Sequence, residues 1–287
     1  MLKTLFNAAT GETAFSLAKC VGLTTLDKSI QGMTAQSHCA APPLLETLPC
    51  RLRRFCRETE YHYGSEQTVL AERTLFPMYS ACMPHIACEI LSNQLYASGT
   101  GRVRCPLAPS TVRGDNRYGL RCPECEQISR ADTGRDCSLT IHCIPLLTRC
   151  PVHHCPLRLH DAISAREVRN YVPSTRSRKR NSVRFGHACM TLLRPGCHGA
   201  AALVVRNALI SRGYFSNYGR LILLQLTRDI ASALSGGFED YRASLWTQHF
   251  VEYPLSLAPI QNANYVAHPT AIALLMCAIA TFDGGAQ

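Results

Sequence analysis

Leu120-Arg-Cys-Pro-Glu-Cys125, answered further along by Cys150-Pro-Val-His153, is the stretch that decides how the rest of the chain is read. Two residues between ligands let a tight turn aim both side chains at one ion. Two such turns, brought together, supply the four tetrahedral ligands of a structural zinc site. The Pro after the first Cys of each pair suits such a turn. Cys122, Cys125, Cys150 and His153 therefore form the expected ligand set for Zn2+. A closed Cys3His shell leaves no position for a reactive water, so the ion is expected to hold the fold. In a small subdomain, metal binding supplies roughly 10–16 kcal/mol of apparent folding free energy. The competing readings are unrelated core cysteines, or a redox pair at Cys122 and Cys125; two matched pairs favour the metal. His142, Cys143, His154 and Cys155 lie close enough to substitute or to build a second site. They are left outside the four-ligand set, because a lone neighbouring His is usually a hydrogen-bonded structural residue.

The chain has 287 residues, 46% hydrophobic and 17% charged, which is globular composition and suggests two or three small domains. An excess of 30 Lys+Arg over 20 Asp+Glu gives a net charge of +10, favouring a polyanionic partner. At the start, Thr10, Gly11, Glu12 and Thr13 interrupt any apolar signal region. The apolar run from Ala271 to Ala280 is too short for a bilayer. A soluble, cytoplasmic and nucleoid-associated protein without membrane contact is expected. The 16 Cys should then be reduced, and Cys20, Cys39, Cys82, Cys88, Cys189 and Cys277 are expected as small core residues.

Apolar spacing predicts helices over 12–23, 44–57, 66–75 and 78–96, with Pro77 and Pro84 as breaks. Gly32, Pro42 and Pro43 mark a loop between the first two. Residues 98–115 read as an irregular linker. A basic hinge follows the cysteine block, with Arg166, Arg169, Arg176, Arg178, Lys179, Arg180 and Arg184. Helices return over 201–212, 220–234, 239–251 and 269–282. The expected fold is mainly α: an N-terminal helical, helix-turn-helix-like domain (1–97), a linker and central Cys3His zinc finger (98–165), and a basic hinge with a C-terminal helical, helix-turn-helix-like domain (166–287).

Several basic residues are candidates for nucleic acid. Arg176, Arg178, Lys179, Arg180 and Arg184 suit phosphates, contacts that position a protein without reading sequence; a solvated linker is the plain alternative. The helices over 201–212 and 220–234 make either a helix-turn-helix with Arg220, Gln225 and Arg228 at the groove, or a hairpin burying Leu221, Leu224 and Ile230. Their turn is longer than the usual three or four residues. Arg51, Arg53, Arg54 and Arg57 form a further basic face, and Tyr61 and Tyr63 beside it are read as core aromatics rather than base-stacking ones.

The ordered motifs resemble one known family. Leu120-Arg-Cys-Pro-Glu-Cys125, His142-Cys-Ile-Pro145 and Cys150-Pro-Val-His153 with Leu157 are similar to the zinc block of TniQ/TnsD transposon target-site selection proteins. Glu72-Arg-Thr-Leu-Phe-Pro77 with Tyr79, and Gly11-Glu12-Thr13 before Phe15-Ser16-Leu17, resemble its upstream elements. Ser211-Arg-Gly-Tyr214, Trp246 and His268-Pro269 are similar to its helical part beyond the finger. The pattern is departed from at Ser138 (Trp), Cys143 (Gln), His154 (Gly) and Arg73 (His); the ligand set survives.

The resemblance implies a recruitment role and no catalytic residues. Such proteins link a DNA target, bound directly or through a CRISPR effector complex with guide RNA, to an AAA+ transposition ATPase and its transposase. Some act as homodimers. The competing class is a zinc-finger, helix-turn-helix transcriptional regulator. A zinc hydrolase or deaminase would need an open metal position and a nearby general base, and no His-x-Glu or His-Glu-x-x-His motif occurs.

Overall fold

The computed structural model describes residues 5–23, 48–97, 120–159, 171–194, 199–253, 257, 260 and 267–284. Among these the architecture is mainly helical, with one two-stranded antiparallel sheet. The loop around Gly32, Pro42 and Pro43, the linker over 98–115, and Cys39, Arg166 and Arg169 lie outside the described residues.

The first helices follow their capping chemistry. Helix α1 (Ala14–Cys20) starts where the Thr13 side chain accepts from the Ser16 amide. Helix α2 (Leu52–Glu58) precedes α3 (Glu66–Glu72), which is capped by Ser65. The predicted break at Pro77 is instead the first turn of α4 (Phe76–Ser80), where a missing N–H costs nothing. Pro84 then separates α4 from α5 (His85–Tyr96).

The metal block contains strand β1 (Leu120–Arg121), helix α6 (Pro123–Thr133), a 3-10 turn (Thr140–Cys143) and strand β2 (Arg158–Leu159). Leu120 pairs with Leu159 and Arg121 with Arg158, so the block's two ends are zipped together.

The expected basic hinge is overturned from Arg176 onward: Arg176–Leu192 is the longest described helix, α7. Its buried face carries Asn181, Ser182, Phe185, Gly186, Ala188, Cys189 and Leu192. Small and polar residues on that face hide the apolar stripe by which a helix is recognised. The Thr175 cap, accepting from the Arg178 amide, was the available signal.

Helices α8 (Ala200–Ser211), α9 (Leu223–Ala233), α10 (Tyr241–Glu252) and α11 (Pro269–Gly284) complete the described elements. Helix α11 packs on α7, α8 and α9, and α9 lies against α10. The hairpin reading is corrected at one position: Leu221 and Ile230 are buried, but Leu224 is 76% exposed.

One apolar cluster runs from Ala14 to Ile279 and draws on both helical parts and on Ile144, Leu146 and Leu147 of the metal block. Backbone bonds cross between the parts: Gly199 to Ser80, Ala201 to Ala81 and Ala267 to Cys82. Cys82, Cys88, Cys189 and Cys277 are buried in this cluster as expected, and Cys20 is half-buried.

Candidate metal centre

The two Cys-Pro turns are built alike. Cys122 caps α6, with Pro123 opening the helix, and its Sγ accepts from the Cys125 amide at 3.4 Å. Cys150 Sγ accepts from the His153 amide at the same distance. Each turn thus aims its two ligand side chains inward while satisfying an amide on sulfur. The second turn closes through Cys150 N to Cys155 O and His154 N to Cys150 O.

The side chains converge into a buried Cys3His group that can hold a metal ion. Cys122, Cys125, His142 and Cys150 are all buried, with one donor atom from each lying within 4.8 Å of the others. His153 reaches the same sulfurs: its Nδ1 lies 3.3 Å from Cys122, 3.3 Å from Cys125 and 3.6 Å from Cys150. Cys125 and Cys150 are 3.8 Å apart. Bond lengths of about 2.3 Å to sulfur and about 2.0 Å to nitrogen set tetrahedral edges of about 3.8 and 3.5 Å. The Cys125–Cys150 pair and the three His153 contacts fit those edges.

His142 is the residue that reading the sequence left outside. It is 3% exposed, and its Nε2 has no hydrogen-bond partner among the described residues. Burial, with His153 and Arg121 nearby, holds its imidazole down at about 4 and therefore neutral. A neutral, buried, unpartnered imidazole beside three thiols is a metal donor by its chemistry. In sequence it is a single His with no partner at ligand spacing. Cys155 also crowds the group, 3.2 Å from the Cys122 sulfur.

Burial pushes the Cys122 thiol up, but hydrogen bonds from the Cys125 amide, Cys155 and His153 outweigh it and hold Cys122 below its ordinary value. Cys125 and Cys150 are raised, first by burial and then by neighbouring sulfurs. Cys155 is pushed up to about 12 for the same reasons. One thiolate is thus favoured and its neighbours resist a second negative charge. A divalent cation reverses that sign, because thiolate ligands are stabilised by the ion's own charge.

Two buried carboxylates fasten the block to its surroundings. Arg135 binds Glu12 through both terminal nitrogens, and Glu12 also accepts from Ser16 Oγ at 2.8 Å and the Ala9 amide at 3.0 Å. Arg149 binds Glu239 at 2.7 and 2.8 Å and spends its remaining nitrogen on the His154 carbonyl. Burial alone would raise Glu239; the Arg149 hydrogen bonds win and hold it below the usual carboxylate value. Helix α7 lies directly on the second turn, where a Cβ at Gly186 would stand 3.4 Å from Leu147 and Pro151 side-chain atoms.

The basic candidates divide into two groups. Arg176, Lys179 and Arg180 are exposed on α7, on one face at helical spacing. Arg178 is half-buried and bonds the Pro173 carbonyl; Arg184, also half-buried, bonds Thr281. Arg220, Gln225 and Arg228 are exposed, the last two beside Leu224 on α9. On α2, Arg53 pairs with Glu66 and Arg54 with Glu58. Tyr63 is buried, stacked on Phe55, whereas Tyr61 is half-exposed. Among the described residues, no helix is long and apolar enough to cross a membrane. Compared with known proteins, the chain matches no family model and no curated sequence.

Proposed function

We propose that this chain selects DNA targets for a transposon, as TniQ/TnsD proteins do, and that its metal is zinc. Cys122, Cys125 and Cys150 hold the ion, with His142 and His153 competing to be the fourth ligand, and the ion's contribution is structural. The three thiols and the nitrogen-rich surroundings suit zinc among divalent ions. A Cys3His shell has no vacant position, so no catalytic step is assigned to it.

The observation that carries the reading is where the family-like motifs meet. The Gly11–Leu17 opening, the Glu72–Tyr79 element and the segment around Ser138 are far apart in sequence. They converge at Glu12: the Ala14 amide bonds Arg73 O, the Thr13 amide bonds Ser138 O, and the Thr140 amide bonds Gly11 O. These bonds tie the opening and the Glu72–Tyr79 element to the metal block. Around this scaffold, exposed Arg176, Lys179 and Arg180 suit phosphate contact, and Arg220, Gln225 and Arg228 suit a groove.

The test is a pull-down of the tagged chain from its host, read by mass spectrometry and nucleic-acid sequencing. An AAA+ ATPase and transposase are expected with it. Cas proteins and guide RNA alongside them indicate RNA-guided recruitment; one defined DNA site indicates direct reading. Replacing Arg176, Lys179 and Arg180 together by Gln should reduce the recovered DNA and lower the salt dependence of retention by about three counterions at most. RNA polymerase and promoter DNA alone would sink the transposition reading and leave a transcriptional regulator.

A further inference from the structure

Outside the Cys3His group, a second pair of metal-type donors meets on the surface. His154, in the second Cys-Pro turn, and His187, midway along α7, bring their Nε2 atoms to 3.1 Å, and both side chains are exposed. Their ring centroids are 5.2 Å apart with planes tilted by 40°.

We propose that His154 and His187 form a second metal site, for a late first-row divalent ion, stapling the turn to helix α7. Imidazole nitrogen is the ligand such ions favour. With metal–nitrogen bonds of about 2.0–2.1 Å, a 3.1 Å separation subtends about 98° at the ion. That lies between the tetrahedral and square-planar angles. A shared ion would draw the ring centroids together by about 0.4 Å, a shift that two exposed side chains make freely.

Both backbones are already fixed. The His154 amide bonds Cys150 O, and its carbonyl accepts from Arg149 at 2.9 Å. His187 follows Gly186, where a Cβ would stand 3.4 Å from Pro151 of the turn. His154 also sits at φ +56°, in the left-handed region that L side chains rarely adopt. Two protein ligands leave the ion's other positions to water or to an incoming donor.

The test uses the full chain with its finger metal retained, titrated with nickel(II) alone by calorimetry, with zinc counted in the dialysate. The parent should bind one nickel beyond the finger ion and gain thermal stability from it. His187→Ala should weaken that binding by about tenfold or more, because one of two chelating nitrogens is gone. His154→Asn, which tolerates the left-handed backbone, should do the same, with finger zinc unchanged in both. Equal binding by parent and His187→Ala, no additional nickel on the parent, or nickel taken up only as finger zinc leaves, would each overturn the proposal.

Discussion

Arg135 reaches back to Glu12 and Arg149 reaches forward to Glu239, so the metal block grips one carboxylate from each helical part. Both carboxylates are fully buried and both are held by a two-pronged guanidinium. Their remaining partners differ. Glu12 has a hydroxyl and a backbone amide at close range, whereas Glu239 has hydroxyls only: Ser174, Thr148 Oγ1 at 3.2 Å and Tyr171 at 3.5 Å. Arg149 differs too, since it also holds the His154 carbonyl of the ligand turn. The N-terminal clamp is therefore a carboxylate that its own helix start half-satisfies. The C-terminal clamp is solvated by hydroxyls alone apart from its arginine, and that arginine is part of the metal turn.

Removing the metal breaks the comparison entirely. Cys150→Ser should abolish metal binding and release both clamps together, because the turns that position Arg135 and Arg149 lose an ion that contributes roughly 10–16 kcal/mol of apparent folding free energy. Metal analysis and limited proteolysis would read this out. A Cys150→Ser protein that is soluble, metal-loaded and as protease-resistant as the parent would sink the zinc assignment.

The next effect separates the two clamps. Breaking a buried ion pair from one side costs about 3–5 kcal/mol, since a charge is left without its partner. Arg149→Met should reach that range. Arg135→Met should cost less, about 1–3 kcal/mol, because Ser16 and the Ala9 amide still solvate Glu12. Denaturant melts of the two variants with metal loaded would decide it. Equal losses would mean that the amide and hydroxyl at Glu12 contribute no more than the hydroxyls at Glu239. Adding Glu239→Leu to Arg149→Met should recover part of the loss, as an apolar pair of similar volume does not strand a charge.

Acid should weaken the C-terminal clamp on its own schedule. Glu239 is held below its ordinary value of 4.5 when folded. Its contribution is therefore complete above about pH 4.5 and is lost as the pH falls through the lowered folded value. The stability gap between the parent and Glu239→Gln should be widest near neutrality and close in that acid window. A gap constant from pH 7 to pH 3 would show that the charge on Glu239 is not what holds the clamp.

The parts of this architecture that were legible in the sequence are those whose chemistry is local. Ligand spacing brought out Cys122, Cys125, Cys150 and His153; in the structure the three thiols gather with His142, and His153 also lies beside them. Apolar periodicity located most helices before and after the block to within a few residues, but the one expected over 44–57 begins at Leu52 and the stretch 78–96 is divided between Phe76–Ser80 and His85–Tyr96. The clamps were illegible because Glu12 and Arg135 are separated by 123 positions, and Arg149 and Glu239 by 90. No local pattern marks such a pair. In the sequence His142 stands only as a possible substitute ligand, because one His among many carries no spacing; burial and an unpartnered Nε2 distinguish it. Helix α7 was read as a hinge because its surface is a run of Arg and Lys, while its buried face includes Asn181, Ser182 and Gly186. Its apolar stripe, Phe185, Ala188, Cys189 and Leu192, is confined to the second half of the helix, so the basic first half offers none to read.

Close packing of α7 accounts for those small residues, and it gives the mildest test of the C-terminal clamp. The segment leading into Glu239 is pinned to α7 by Asn181 bonding Gly237 O and by the Glu239 amide bonding Ser182 Oγ. A Cβ at Gly236 would stand 2.4 Å from the Ser177 Cβ at the start of α7. Neither atom is the end of a flexible chain, so backbone must move. Gly236→Ala should therefore cost about 1–3 kcal/mol, as overpacking does. Gly186→Ala is the matched control on the same helix, because its Cβ would meet side-chain atoms at an ordinary 3.4 Å. It should change stability much less. If Gly236→Ala loosens the Glu239 segment, the thermal penalty should shrink in an Arg149→Met background, where that segment has already lost its anchor. Full additivity of the two substitutions would mean that the glycine contact and the clamp act separately.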